Sequence, residues 1–151
     1  MIESYKDYLL EKPLCLIFWE LSNSYDTLKR IFSESFEIRE IKSLKDLIYW
    51  FKITEVKIII LGIKELETQK EIINYINEKL PIEKRRKIFL IFILPQTKTL
   101  DPKETFKLSA NLVVAEEHLS EFEKLYQKAY QYWSILYKDF DFVFERLREE
   151  F

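Results

Sequence analysis

Residues 87–94 constrain the fold of this chain more than any other segment. Seven consecutive apolar residues follow Lys87 and continue without interruption to Pro95. Because no polar residue alternates with them, neither face of the segment can lie in water, and the pattern predicts a strand that is covered on both faces. Such strands occur in parallel sheets between two layers of helices. The segment therefore predicts a three-layer α/β fold.

Four more strand patterns, separated by helical patterns, extend this prediction to a whole domain. The five predicted strands are residues 14–19, 36–41, 56–61, 87–94 and 112–115. Regular alternation of strands and helices predicts a parallel sheet with right-handed crossovers. Five strands favour the doubly wound order 2-1-3-4-5, with the alternating apolar and charged second strand at an edge. We assign residues 13–136 to this α/β domain, 1–12 to an N-terminal segment and 137–151 to an extension of the last helix.

The starts of four predicted helices are marked by a hydroxyl or aspartate residue followed three positions later by an acid. This spacing is typical of a capping box, in which both side chains accept hydrogen bonds from backbone N–H groups at the helix start. The four pairs are Ser43 with Asp46, Thr68 with Glu71, Asp101 with Glu104, and Ser120 with Glu123.

The composition excludes several kinds of site. The chain has one glycine, Gly62, one cysteine, Cys15, and one histidine, His118. A Gly-rich phosphate loop is therefore excluded, as are an internal disulfide and a zinc site built from His and Cys ligands of one chain. His118 has no paired nucleophile, so we interpret it as a loop or helix-start residue. The net charge of −2 provides no general attraction to nucleic acid or anionic membranes.

The remaining sequence features concern partners and location. Residues 84–87 form the only basic run, which we interpret as a solvated loop; no aromatic residues interleave with it, so nucleic acid is not an expected partner. The N-terminus has no secretory apolar region, and no apolar run approaches the ~20 residues of a membrane-spanning helix. We expect a cytoplasmic protein without membrane insertion. The abundance of Lys, Glu and Ile with almost no Gly indicates either a thermophilic source or AT-rich coding DNA, which gives the same bias.

Four positions at the carboxyl ends of the predicted strands are informative about chemistry. Glu20 follows the first strand, Gly62 the third, Pro95 the fourth and Glu116 the fifth. The layout and spacing of residues 13–133 resemble the receiver domain of bacterial response regulators. In that family these positions carry an acidic pair, the phosphorylated aspartate, a Ser or Thr, and a Lys-Pro sequence.

The resemblance implies a receiver fold from which the phosphorylation chemistry has been lost. Phosphoryl transfer of this kind needs a carboxylate nucleophile, an acidic cluster that holds magnesium and a cation for the phosphoryl oxygens. Gly62 cannot be the nucleophile, and Glu116, with Glu117 beside it, would repel phosphate where the family has lysine. The chain is therefore expected to be a degenerate pseudo-receiver that is not an enzyme and has no cofactor.

The turn at residues 22–27 allows a second interpretation. Flavodoxins have the same overall fold and bind the FMN phosphate with a T-x-T-G-x-T loop after the first strand. Ser22, Ser24 and Thr27 match that spacing, and a helix N-terminus there would favour an anion. Tyr25 occupies the glycine position and Asp26 adds a negative charge. Helix capping explains the same residues more simply.

Glutamates near the strand ends allow a third interpretation. Glu20, Glu65, Glu116 and Glu117 follow predicted strands, at the end of the sheet where open α/β folds usually bind ligands. Carboxylates gathered there could hold a divalent cation such as Mg²⁺ in a metal-dependent enzyme. Solvated acidic residues at loop ends are the alternative explanation.

The last predicted helix, residues 120–151, is longer than a small sheet requires. If continuous, it would measure about 47 Å at about 1.5 Å per residue. Its apolar residues repeat in alternating steps of four and three, as in helices that pack against other helices. Two interpretations stay open: the chain kinks near residues 138–141 and folds back, or the aromatic stripe contacts another copy or another protein.

These patterns together predict a non-catalytic regulatory or adaptor domain in signalling that forms a homodimer through its C-terminal helix. The residues expected at that interface are Tyr130, Trp133, Tyr137, Phe140, Phe144, Leu147 and Phe151. The alternatives are a flavodoxin-like domain that binds FMN or another small ligand, and the metal-dependent enzyme.

Overall fold

The five strands form one all-parallel sheet in the order β2-β1-β3-β4-β5. The computed structural model describes residues 11–95 and 109–150, with side chains as far as residue 136. The strands are β1 (Leu14–Trp19), β2 (Glu37–Glu40), β3 (Val56–Gly62), β4 (Phe89–Leu94) and β5 (Leu112–Ala115). The predicted class and strand order are confirmed, and the predicted strand bounds differ from these only at the ends, where assignments commonly vary.

Five α-helices connect and follow the strands of the described chain. They are α1 (Asp26–Phe32), α2 (Leu44–Ile53), α3 (Lys70–Asn74), α4 (Ile82–Arg85) and α5 (Phe122–Glu150). Two 3₁₀ turns span Leu66–Gln69 and Glu116–Glu121, and a π-helical turn, Tyr75–Lys79, continues α3. The helix start predicted at Asp101 lies outside the described residues.

The sheet is buried between two helical layers because successive strand residues point to opposite faces. All six residues of β4 are buried. Phe89 and Ile91 belong to the core shared with α1 and α5, whereas Leu90 and Phe92 belong to the core shared with α2 and α3. Each fully buried side chain of this kind stabilises the fold by about 1.5–3 kcal/mol. The three-layer, doubly wound arrangement is therefore confirmed.

One of the predicted capping boxes is confirmed at the start of α2. Ser43 Oγ accepts a hydrogen bond from the Asp46 N–H at 3.3 Å. The Asp46 carboxylate accepts from the Lys42 N–H at 2.9 Å. Ser43 thus satisfies a backbone donor of the first helical turn, and Asp46 bonds back to the N–H of the residue before the N-cap.

Two other capping boxes are wrong, because 3₁₀ turns come before the helices that they were expected to start. Thr68 lies inside the turn Leu66–Gln69, where its hydroxyl donates to the Glu65 carbonyl at 2.8 Å. Ser120 likewise lies inside the turn Glu116–Glu121. Local hydrogen bonds of this kind compete with helix capping for Ser and Thr hydroxyl groups.

The last helix, α5, is continuous over 29 residues. It continues through residues 138–141, where one interpretation of the sequence placed a kink. At 1.5 Å per residue α5 measures about 44 Å, whereas a six-residue strand such as β4 spans about 20 Å. The helix is therefore about twice as long as the sheet that its first half covers.

Among the described residues, no helix combines the length and apolar content that a membrane crossing requires.

Candidate functional site

The indole of Trp19 covers Gly62 at the carboxyl end of β3. Trp19 and Gly62 are register partners at the carboxyl ends of β1 and β3. A Cβ atom added to Gly62 would lie 2.4 Å from Trp19 Cε3. The indole N–H donates a hydrogen bond to the Asn23 carbonyl at 2.7 Å, which fixes the ring in place. The one glycine of the chain thus makes room for this ring.

Glu20 joins the loops that follow β1 and β3. Its backbone N–H donates to the Gly62 carbonyl at 2.8 Å. Its carboxylate accepts hydrogen bonds from the Lys64 N–H at 3.3 Å and from Gln69 Nε2 at 2.8 Å. These bonds give Glu20 a structural role at the end of the sheet where a ligand was expected.

The other three candidate glutamates have separate positions. Glu116 Oε2 accepts from the Asn23 N–H at 3.1 Å and so links the end of β5 to the loop after β1. Glu65 and Glu117 are exposed. Within the described ranges, no three His, Cys, Asp or Glu side chains are grouped so that they could hold a metal ion. The structure therefore does not bring the four predicted glutamates together.

The three hydroxyl residues of the FMN-loop pattern, Ser22, Ser24 and Thr27, lie in the turn before α1 and in its first helical turn. Ser24 Oγ accepts from the Asp26 N–H at 3.2 Å, and Ser22 is exposed. Thr27 lies in the first turn of α1 and is half-buried. Tyr25 holds the N-cap position without a side-chain capping bond, so among these hydroxyl groups only that of Ser24 accepts a hydrogen bond from the start of α1.

Tyr25 lies across the carboxyl ends of β1 and β2. Its ring centre lies 5.4 Å from that of Trp19, and its hydroxyl donates to Glu40 Oε2 at 2.9 Å. The Lys29 ammonium lies 5.1 Å from the ring centre. Burial, together with the hydrogen bond to Glu40, raises the pKa of Tyr25 to about 12. The bulky residue at the glycine position of the FMN-loop pattern therefore helps to close this end of the sheet.

Two residues of the predicted interface pack against the protein's own sheet. The ring centres of Tyr130 and Trp133 lie 5.6 Å and 5.5 Å from that of Phe89, which is fully buried. Tyr137, Phe140, Phe144 and Leu147 lie in the part of α5 whose side chains are not described, and Phe151 lies outside the described residues.

Three apolar side chains that are exposed on α5 lie outside the predicted interface set. Tyr132 is 69% exposed, Ile135 55% and Leu136 51%. Leu136 belongs to the apolar repeat of the sequence, but Tyr132 and Ile135 flank it. Their spacing of three and four residues places them on one helical face, which is the signal that could have identified them.

The basic run is not simply a solvated loop, since α4 contains part of it and the Arg85 side chain makes hydrogen bonds to other segments of the chain. The Arg85 guanidinium donates to Asn77 Oδ1 at 3.1 Å, to the Ile88 carbonyl at 3.2 Å and to the Ser109 carbonyl. Burial lowers the pKa of Arg85. The side chain ties together the segments that precede β4 and β5. No sequence spacing indicates these partners.

No protein-family model matches the chain, and a search of the curated proteins gives no match either.

Proposed function

We propose that this chain is a non-catalytic, receiver-like interaction domain that forms a homodimer through α5. The observation that carries the proposal is the length of this helix. It has 29 residues in all, and only its first half covers the sheet. Tyr132, Ile135 and Leu136 are exposed just before the second half begins. Exposed apolar surface at regular spacing is typical of protein interfaces.

The sequence of the second half supports the same proposal. Phe140, Phe144 and Leu147 follow Trp133 in steps of seven, four and three residues. This spacing places them on the side of the helix that includes Trp133. The half-helix beyond residue 136 thus repeats the apolar pattern of the half that packs on the sheet, and a second copy of α5 would supply a matching apolar surface.

The arrangement at the carboxyl ends of the strands supports a non-catalytic role. The Trp19 indole lies over Gly62, and Glu116 bonds the Asn23 N–H. A receiver would need a nucleophilic carboxylate at the first position and a cation at the second. We expect no incorporation of phosphoryl label from acetyl phosphate; label on a carboxylate would contradict this part of the proposal.

Solution mass measured by light scattering tests the dimer on the full chain. Ile135→Glu and Leu136→Glu place a charge on the exposed apolar surface and should convert the dimer to a monomer with unchanged circular dichroism. Gln127→Glu adds the same charge at an exposed position of α5 that lies about 180° around the helix from Leu136 and about two turns before Ile135, and it should leave the dimer intact. A wild-type monomer at every concentration, or equal dissociation by all three variants, would contradict the proposal.

A further inference from the structure

A cavity of about 380 Å³ opens at the amino end of the sheet, on the face covered by α5. Lys57 lies near the start of β3, Lys87 precedes β4, and Tyr130, Trp133 and Ser134 belong to α5. The volume lies within the range of small-molecule sites, about 300–1,000 Å³. The cavity is at the opposite end of the sheet from Trp19 and Gly62.

An aromatic wall lines one side of this cavity. The ring centres of Tyr130 and Trp133 lie 5.4 Å apart, and both contact the buried Phe89 ring. Because Phe89 is fully buried in β4, the wall rests on the core of the sheet.

Two lysines give the cavity a positive charge. Lys57 and Lys87 line it, and no carboxylate is among its lining residues in the described chain. Glu55 pairs with Lys57 at 3.3 Å and partly neutralises it. Lys87 is exposed and makes no ion pair with any residue that the structure describes. The ammonium of Lys87 is therefore the better partner for an anion.

We propose that this cavity binds a small aromatic acid, with its ring against Tyr130 and Trp133 and its carboxylate beside Lys87. Ring contacts of this kind add to the stabilisation that the buried apolar area provides, and an ammonium–carboxylate ion pair fixes the orientation of the ligand. Tyr132, Ile135 and Leu136 do not line the cavity. Substitutions at Ile135 and Leu136 therefore test the homodimer without changing the lining of the cavity.

Calorimetric titration of the full chain with 2-naphthoate tests this site. The probe should bind saturably, whereas 2-naphthylmethylammonium, which has the same ring with the opposite charge, and acetate, which has no ring, should bind much more weakly. Lys87→Gln should weaken 2-naphthoate binding by up to about fivefold, the effect of one exposed charge pair. Lys84→Gln removes a neighbouring exposed charge that does not line the cavity and should leave the affinity unchanged.

Ser134→Trp provides a second variant, because a large side chain at this half-buried position should fill the cavity and abolish binding while the melting temperature shows that the fold is kept. The proposal is overturned if 2-naphthoate does not bind saturably, if the cationic probe binds equally well, or if Lys84→Gln and Lys87→Gln weaken binding to the same extent.

Discussion

The two ends of the sheet are built in opposite ways. At the carboxyl ends of the strands, four side chains make hydrogen bonds to neighbouring segments. They are the aromatic side chains of Trp19 and Tyr25 and the carboxylates of Glu20 and Glu116. At the amino ends, Arg85 ties the chain together, yet a cavity with lysines and an aromatic wall remains. Open α/β sheets usually bind ligands at the carboxyl ends. Among the described residues, the carboxyl end carries these structural contacts, and the cavity lies at the other end beside α5.

The difference follows from where the chain places its large and charged side chains. Gly62 leaves space at the carboxyl end of β3, and the Trp19 indole from the neighbouring strand β1 fills that space. At the amino end the residues of α5 and the strand starts leave a gap that none of the described side chains occupies. A site sought from fold resemblance alone would not include this cavity.

The largest effect is expected from removing the polar tie at the amino end. Arg85→Met would leave Asn77 Oδ1 and the Ile88 and Ser109 carbonyls without their donor. Hydrogen bonds to a charged group contribute about 1.5–3 kcal/mol, so we expect the free energy of unfolding in urea to fall by about 3 kcal/mol. Lys84→Met, at an exposed position of the same helix, should change it by less than about 0.5 kcal/mol. Equal effects of the two variants would show that Arg85 is only a surface charge.

A smaller effect is expected from disturbing the closed carboxyl end. In Gly62→Ala the new methyl group would lie 2.4 Å from Trp19 Cε3, and the ring can move only by breaking its bond to Asn23. Overpacking of this kind costs about 1–3 kcal/mol, and we expect about 2 kcal/mol in urea unfolding. In the Trp19→Ala background the same substitution should cost much less, because the ring is gone. Additive effects of the two substitutions would mean that this contact does not determine the residue at position 62.

Much of the fold could be predicted from sequence because apolar runs report burial directly. The run that ends at Leu94 required cover on both faces, and that requirement led to the parallel sheet. Helix starts were less predictable: Ser43 caps α2, but Thr68, with the same spacing, lies in a 3₁₀ turn. The spacing alone does not show which turn the chain adopts before the helix.

The candidate site was less predictable because it depends on contacts between distant segments. The sequence identified Gly62 as exceptional but could not show that Trp19, more than forty residues earlier, fills the space above it. In the same way, the basic run gave no sign that Arg85 reaches Asn77 and Ser109. The cavity depends on five separate segments of the chain and has no local sequence pattern.

The smallest expected effect is the pH dependence of the stability that Tyr25 contributes at the carboxyl end of the sheet. Burial and the hydrogen bond to Glu40 raise the pKa of Tyr25 from 10.0 to about 12, so the folded state keeps a proton that the unfolded state loses. The stabilisation by Tyr25 is therefore complete below pH 10 and is lost as the pH rises through about 12. Because the side chain is only partly buried, we expect less than about 1 kcal/mol. Wild type should be more stable than Tyr25→Phe in urea at neutral pH, and this advantage should disappear in that alkaline range. Tyr75→Phe, which removes the hydroxyl of another half-buried tyrosine, is the matched control. An advantage over Tyr25→Phe that does not change with pH would show that the phenol of Tyr25 does not stabilise the carboxyl end of the sheet in this way.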